Sequence, residues 1–566
     1  MSKLSPDDRK QRHEQRVLHN KIVSTFKALG FVYLRTEHNQ FNLGGRNMEL
    51  DAMFCYENVL ILSEDTITQK HDHLRTKDDT MQRIRGNLGE FLRIIDGMVE
   101  GFKDLHGQYE TSRVKVFYIH ICGTKDSFSQ SEKEEFPNIL LWGNMELEYF
   151  KWLGECIHYS ARFELFRYLG LSKSDIGNVQ STVHSANAQM PIIYPPNYIG
   201  PIQDCRVVTF MLSAAELLEM GYVLRKEGWA KQSGLYQRLL DKSKMIRIRE
   251  YIVKKESSFF NNIIVALPGN AVVMDSNNLT HSIFDHSSGR QDTGLYLSLP
   301  SEYNTLGIID GQHRVYAYHE GGDHDDTVSR LRRDRHLLVT GVMFPNSMDD
   351  EERLKLQSQI FLDINQNAKP ISPDLLIYIQ KLQDPLADTS IAQDVLKYMN
   401  DYGVFRNRLQ RTTLNSHGIK TASIVKFALK YVVSIGDTNN KKSLIAYWNG
   451  DKESLKRNDH AARDEYIAFC AKWLNLFFAG VKEAWKDHWS NDNSTTLLPS
   501  VVTINGCLIA YRHQLPSNGL KDSSFFKTKF AKWSKGFSKD SFEFRSSQYG
   551  RFAKELLKTV FDIEMN

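Results

Sequence analysis

The sequence predicts a multidomain α/β protein with a mixed α/β unit at its N-terminus, a second unit that alternates strands and helices, and a mainly helical C-terminal region. Three observations predict this. Helix-periodic and strand-like segments follow one another in α-β-β-α-β order over residues 1–125. Pro191, Pro195, Pro196 and Pro201 cluster in residues 189–201 and read as a linker. Beyond about residue 385 the apolar residues recur at helical spacing and are rich in aromatics. With 566 residues, 41% hydrophobic and 25% charged, each unit can bury a core, which excludes a disordered, collagen-like or coiled-coil chain.

In chain order, residues 7–29 read as a helix stopped by Gly30, and residues 31–35, 49–54 and 59–63 as strands. The Tyr56-Glu57-Asn58 turn makes the last two a hairpin. A helical stretch (80–104) and a strand (114–122) complete a first domain over residues 1–125. A charged, Ser-rich loop (125–137), a helical run ending at Gly170 and the proline cluster make residues 126–195 a helical connector and linker. The second domain, residues 196–385, has strands at 207–212, 262–267, 271–274 and 306–309 and helices at 214–219 and 235–256. The last helix carries Lys242, Lys244, Arg247, Arg249, Lys254 and Lys255. Residues 386–566 form the mainly α region.

The balance of 72 Lys and Arg against 68 Asp and Glu gives +4, so a nucleic-acid surface must be a local patch. Six cysteines stand singly, with no C-x-x-C spacing, and read as reduced, buried thiols. The charged start has no apolar signal core, and no apolar run reaches the roughly 18 residues of a membrane span. A soluble, cytoplasmic protein without membrane contact is expected. Walker A, H-E-x-x-H and G-x-S-x-G patterns are absent, which excludes P-loop chemistry and gives no support to zincin or serine-hydrolase chemistry.

The sharpest local feature is LGIIDGQHRVYAYHEGG, residues 306–322. An apolar strand runs into Asp310-Gly311-Gln312-His313-Arg314, and a helix starts at once. Gly311 lets the chain turn, the helix start offers free N–H groups to an anion, and His313 and Arg314 can add charge-assisted bonds to phosphate. The same residues also suit a helix capped by Asp310 with solvated His and Arg. A second feature, residues 360–376, clusters Asp363, Asn365, Gln366, Asn367 and Lys369, a density that can hold a sugar, a base or Mg²⁺-bound water, or can satisfy its own turns.

The DGQHR pentapeptide at 310–314, followed by FLDINQNAKP at 361–370, resembles the DGQHR-domain family, which includes the DndB-type proteins of bacterial DNA phosphorothioate modification clusters. Gln237-Arg238, IIVALP (263–268) and IKTAS (419–423) share the resemblance, which covers about residues 200–430. That family is similar in turn to the ParB/sulfiredoxin fold, an α+β domain in which a Gly-x-x-Arg corner holds nucleotide phosphates. The resemblance implies that Gly311 supplies the turn, that His313 and Arg314 contact phosphates, and that Asp310, Gln312, Asp363, Asn365 and Lys369 line a site for an NTP, ATP or CTP. Gln312 stands where sulfiredoxin has its nucleophilic Cys, so sulfinate reduction is not expected.

In the first domain, Glu49-Leu50-Asp51 opens one strand and VLILSEDT ends the next with Glu64 and Thr66. This looks like the restriction-endonuclease-like PD-(D/E)xK core, in which paired acids hold Mg²⁺ and a Lys activates water. The resemblance makes Asp51 and Glu64 metal ligands and catalytic acids. Thr66 occupies the usual Lys position, leaving Lys70 as the nearest substitute, and Glu14 is a candidate third acid. Without a positioned Lys the domain is a degenerate, DNA-binding or structural one.

Residues 402–436 contain no Asp or Glu but carry Arg406, Arg408, Arg411, Lys420, Lys426 and Lys430, a candidate DNA-facing surface. In residues 523–537 lysines alternate with Phe526, Phe530, Trp533 and Phe537, at a spacing that favours an amphipathic core helix over a nucleic-acid platform. The GGDHDD run at 321–326 reads as solvated acids. Three functions stay open: a nucleotide-binding, DNA-associated component of a bacterial DNA-modification or anti-phage defence system, with NTP hydrolysis as an option; a Mg²⁺-dependent DNA endonuclease with the DGQHR domain as sensor; and a non-enzymatic DndB-like DNA-binding transcriptional regulator. Expected partners are DNA, a nucleotide, other proteins of a DNA-modification cluster and a second copy of the chain.

Overall fold

The computed structural model describes residues 6–36, 39–67, 71–177, 187–193, 205–223, 240–256, 259–275, 277, 280–281, 294–300, 302–345, 347–365, 373–406, 408–409, 418–489, 498–538, 542–545 and 547–564. The architecture is mixed α/β with a helical C-terminal part, in two compact units, residues 1–364 and 365–566.

The first unit opens with a five-stranded sheet. Its strands are ordered Val32–Leu34, Ala52–Tyr56, Val59–Thr66, Lys115–Cys122 and Leu140–Trp142, with two antiparallel pairings followed by two parallel ones. Val59–Thr66 is buried almost throughout, as a strand covered on both faces must be. On one face Phe26 of helix Pro6–Ala28 stacks on Phe54 at 4.5 Å and lies 5.8 Å from Trp142, which stacks in turn on Phe150 of helix Asn144–Ile157. The other face buries Leu60, Leu62 and Tyr118 with Leu74, Met81, Ile84 and Phe91 from helices His71–Gly86 and Leu88–Met98.

A second five-stranded sheet is ordered Gly221–Tyr222, Leu306–Asp310, Ile263–Ala266, His336–Met343 and Arg206–Ser213. Its pairings are parallel, antiparallel, parallel and antiparallel in that order. An antiparallel four-stranded sheet joins Thr280–His281, Val272–Met274, Tyr296–Pro300 and Asn187–Pro191.

Several local expectations change. The strand expected over 49–54 divides. Arg46–Glu49 pairs with Gln40–Leu43 in a separate hairpin turned by Gly44 and Gly45, and Ala52–Tyr56 enters the main sheet. The helix expected over 80–104 starts earlier and breaks into His71–Gly86, Leu88–Met98 and Phe102–His106, with Gly101 left-handed before the last. Within the 125–137 loop, Ser129 and Glu132 form a reciprocal cap on a short helix, Gln130–Glu135. Part of the proline cluster is structure rather than linker, since Asn187–Pro191 is an edge strand.

The second unit is helical, with Pro373–Gln383, Asp388–Tyr402, His460–Ala484, Val501–Asn518, Ser523–Phe530 and Tyr549–Leu556 as its longer elements. Phe477 sits at its centre, 4.6 Å from Tyr511, 4.9 Å from Phe526 and 5.7 Å from Phe530. Phe526, Phe530, Trp533 and Phe537 are all buried, so the 523–537 aromatics belong to the core. The six cysteines are free and buried. Among the described residues no helix is long and apolar enough to cross a membrane.

Candidate functional site

The N-terminal hairpin aligns Ala52 with Ser63 and Tyr56 with Val59, which brings Asp51, just before the first strand, to the end of the second. There the Asp65 amide donates to Asp51 Oδ2 at 2.9 Å. Strand alternation sends Glu64 and Asp65 to opposite faces. Glu64, only 7% exposed, meets the helix His71–Gly86: Lys77 Nζ donates to Oε2 at 2.6 Å, and His73 Nε2 lies 3.0 Å from Oε1. His73 and Lys77 are four residues apart and so share a helix face. From the neighbouring strand the Tyr118 hydroxyl donates to Glu64 Oε2 at 3.1 Å, and His120 stands opposite Glu64 in the register.

Charge in this cluster is unevenly held. Burial, reinforced by the Glu64 carboxylate, raises the Asp51 pKa to about 7. Burial works against Glu64 as well, but the bonds and charges of His73 and Lys77 outweigh it and hold that carboxyl below its ordinary range. Burial also lowers His120 to about 4, leaving it neutral at pH 7. On the opposite face, Asp65 Oδ2 lies 2.7 Å from His19 Nδ1, and Gln15 both donates to the Asp65 carbonyl at 2.8 Å and accepts from the Ile67 amide.

Asp51 and Glu64 are therefore brought to the same strand end, the two residues that the nuclease-core resemblance pairs. Glu14 is not part of the group: it is exposed beside Lys10, and Gln15 is the residue of that helix that reaches the strand end. Lys70 lies outside the described residues. The cation at Glu64 is Lys77, a residue the sequence reading missed because it began the helix too late. Its signal was the i, i+4 pair with His73. Among the described residues no three His, Cys, Asp or Glu side chains form a metal-binding group. A cation at Asp51 and Glu64 would thus rely on water and phosphate for the rest of its shell, as Mg²⁺ commonly does.

The DGQHR corner follows the Leu306–Asp310 strand, which is hydrogen-bonded on both sides. Gly311 has φ 97°, which favours glycine, and a Cβ there would lie 2.6 Å from Ile263 Cδ1, which would have to move aside. The helix Gln312–Tyr316 begins at Gly311 without a side-chain cap, so Asp310 is not the cap that the sequence allowed. Instead Arg314 Nη2 donates to Asp310 Oδ2 at 2.8 Å, and His313 Nε2 accepts from the Asp241 amide at 3.0 Å, docking the start of helix Lys242–Lys255. Gln312 is buried.

Arg249, on that helix, is buried too and donates to the carbonyls of Ala317, His319, Gly321 and Asp323 at 2.7–3.1 Å and to Asp325 at 3.3 Å. Arg332 shares Asp325 at 2.7 Å. Asp325 is thus an internal anchor rather than a solvated acid. Asp363 is exposed and accepts from Gln359 at 2.7 Å near the end of helix Asp350–Asn365. Gln237, Arg238, Gln366, Asn367, Lys369 and Arg411, together with the Asn365 side chain, lie outside the described residues.

A family model for DndB, described as DNA-sulfur modification-associated, matches residues 203–486. The chain belongs to the DndB family. No curated protein and no solved structure matches it. Membership places this DndB-family chain among components of DNA-modification systems, and the matched region extends past the 200–430 resemblance into helix His460–Ala484.

Within the DndB-family region, the acid-free stretch lies in the second unit. Arg406 and Lys420 are exposed and Lys426 is half-buried. Arg408 is half-buried, with its guanidinium 5.9 Å from the Trp489 ring. The IKTAS run bridges Leu409 through Ile419 and enters a helix at Ala422.

Proposed function

We propose that this DndB-family chain acts on DNA in a bacterial DNA-modification or anti-phage system, and that its N-terminal unit is a divalent-cation-dependent phosphodiesterase. One observation carries the reading: Asp51 and Glu64 meet at a strand end, and Lys77 of the next helix donates to Glu64 there, a position from which it would replace the lysine missing at Thr66. The acids suit a cation, because burial and Glu64 raise Asp51 to about 7, and a divalent ion offsets both causes. Mg²⁺ held by Asp51 and Glu64 would polarise a phosphodiester and a bound water. Tyr118 and His73 fix the Glu64 carboxylate, and Lys77 presents its ammonium to the negative charge that develops on phosphate during attack.

The test is cleavage of supercoiled plasmid, unmodified and phosphorothioate-containing, with Mg²⁺ or Mn²⁺. Asp51→Asn, Glu64→Gln and Lys77→Met should each reduce the rate about 100-fold or more, the scale of losing one charge-stabilising group. Cleavage that persists in the Asp51→Asn/Glu64→Gln pair, or none by the folded wild type, overturns the reading.

A second reading concerns the central corner. There a left-handed Gly311 and the half-buried Arg314–Asp310 pair support nucleotide binding, with a phosphate competing for Arg314. Calorimetric titration with ATP and CTP should detect binding that Arg314→Ala weakens about tenfold or more, as loss of a charge-assisted bond implies. Equal affinities would remove this reading and leave the first untouched.

A further inference from the structure

Residues 422–432 form one continuous helical run whose middle turn, Val425–Leu429, is a π-helix. Ile424, Val425, Ala428, Leu429 and Val432 are buried in the core of the second unit. The opposite face carries two large rings out of the core, Phe427 at 50% exposure and Tyr431 at 43%. They are four residues apart and so neighbours on one face. Phe427 stacks on Tyr549 with centroids 5.7 Å apart and planes 30° apart. Two cations approach Tyr431, Lys430 Nζ at 4.7 Å and the Arg512 guanidinium at 5.3 Å from its ring centroid.

The charges placed against Tyr431 are both positive. Lys420, Lys426 and Lys430 come from the stretch with no acid, and among the described residues none of them, nor Arg512, has a carboxylate partner. Cations without a carboxylate partner beside exposed aromatics match a polyanion that also offers flat π-faces, which is unpaired nucleic acid rather than a duplex, whose bases are already stacked.

We propose that Phe427, Tyr431 and Tyr549 stack the bases of single-stranded DNA while Lys426, Lys430 and Arg512 hold its phosphates. This rests on the DNA association proposed above, and not on cleavage or on nucleotide binding at the corner.

The experiment is fluorescence anisotropy of the full chain, in EDTA so that cleavage cannot contribute, with three labelled probes: a 20-nucleotide single strand, the same length with abasic positions and identical charge, and a duplex. The base-bearing strand should bind about tenfold or more tighter than the abasic one, the scale of stacking one or two bases. Phe427→Ala/Tyr431→Ala, at exposed positions and checked for unchanged circular dichroism, should abolish that preference while sparing abasic-strand binding. Lys430→Gln/Arg512→Gln should weaken both strands and flatten the salt dependence. Equal binding of base-bearing and abasic strands by the wild type overturns the proposal. So does an unchanged preference in the aromatic variant, or a variant whose effect is a change of oligomeric state, which would make the face an interface between copies. Plasmid cleavage in Mg²⁺ is scored separately, so failure here leaves the N-terminal reading standing.

Discussion

His319 is buried beside the Arg249 and Arg332 guanidinium groups and stacks on His158 at 5.0 Å. Burial first, then those neighbouring cations, lower its pKa to about 3. The folded chain therefore binds fewer protons here than the unfolded chain, whose His titrates near 6.5. The stability contributed by neutral His319 is complete above about pH 6.5 and drains away as pH falls towards 3, at roughly 1.4 kcal/mol per pH unit. Thermal unfolding should show stability falling between pH 6.5 and 4, and His319→Gln, which cannot charge, should flatten that slope. Parallel slopes in both proteins would rule the residue out as a source. None of this was legible in the sequence, where His319 is one histidine in an apolar run. Its environment is made by Arg249, some seventy positions away and named in the sequence only as one of six basic residues on a helix.

Elements were most legible where a clear turn separates two apolar runs. The strands beside the Tyr56–Asn58 turn are apolar runs buried on both faces, so the turn between them makes the hairpin legible, while the pairing of Asp51 with Glu64 came from the resemblance to the nuclease core. Lys77 was not legible, because the polar residues 71–79 carry no apolar stripe. What makes them helical is the packing of Leu74, Met81 and Ile84 on the sheet, which is tertiary. The Asn187–Pro191 strand was hidden for a related reason. Pro191 lacks an N–H and reads as a breaker, yet at the last position of an edge strand it costs no interior ladder bond. At the DGQHR corner the motif announced the turn, and Gly311 makes it. Only the structure reveals that Asp310 and Arg314 hold each other and that His313 receives the Asp241 amide.

At the scale of the molecule, the matched family region and the compact units do not end together. The match stops at residue 486, whereas the helical unit runs from 365 to 566. The difference has a packing consequence. Phe477 is surrounded by Tyr511, Phe526 and Phe530, and Trp485 by Phe530, Trp533 and Phe537, all from beyond the match. A chain cut at 486 exposes Phe477, Phe478, Val481 and Trp485, which are now buried. At about 1.5–3 kcal/mol for each large apolar side chain, that loss reaches the whole stability of an ordinary domain, about 5–15 kcal/mol. A fragment of residues 365–566 should unfold in one cooperative transition, with the blue-shifted fluorescence of buried Trp448, Trp485 and Trp533. A fragment of residues 365–486 should bind hydrophobic dye and show no such transition. Cooperative unfolding of the shorter fragment would mean that the family region carries its own core and that the C-terminal helices only decorate it.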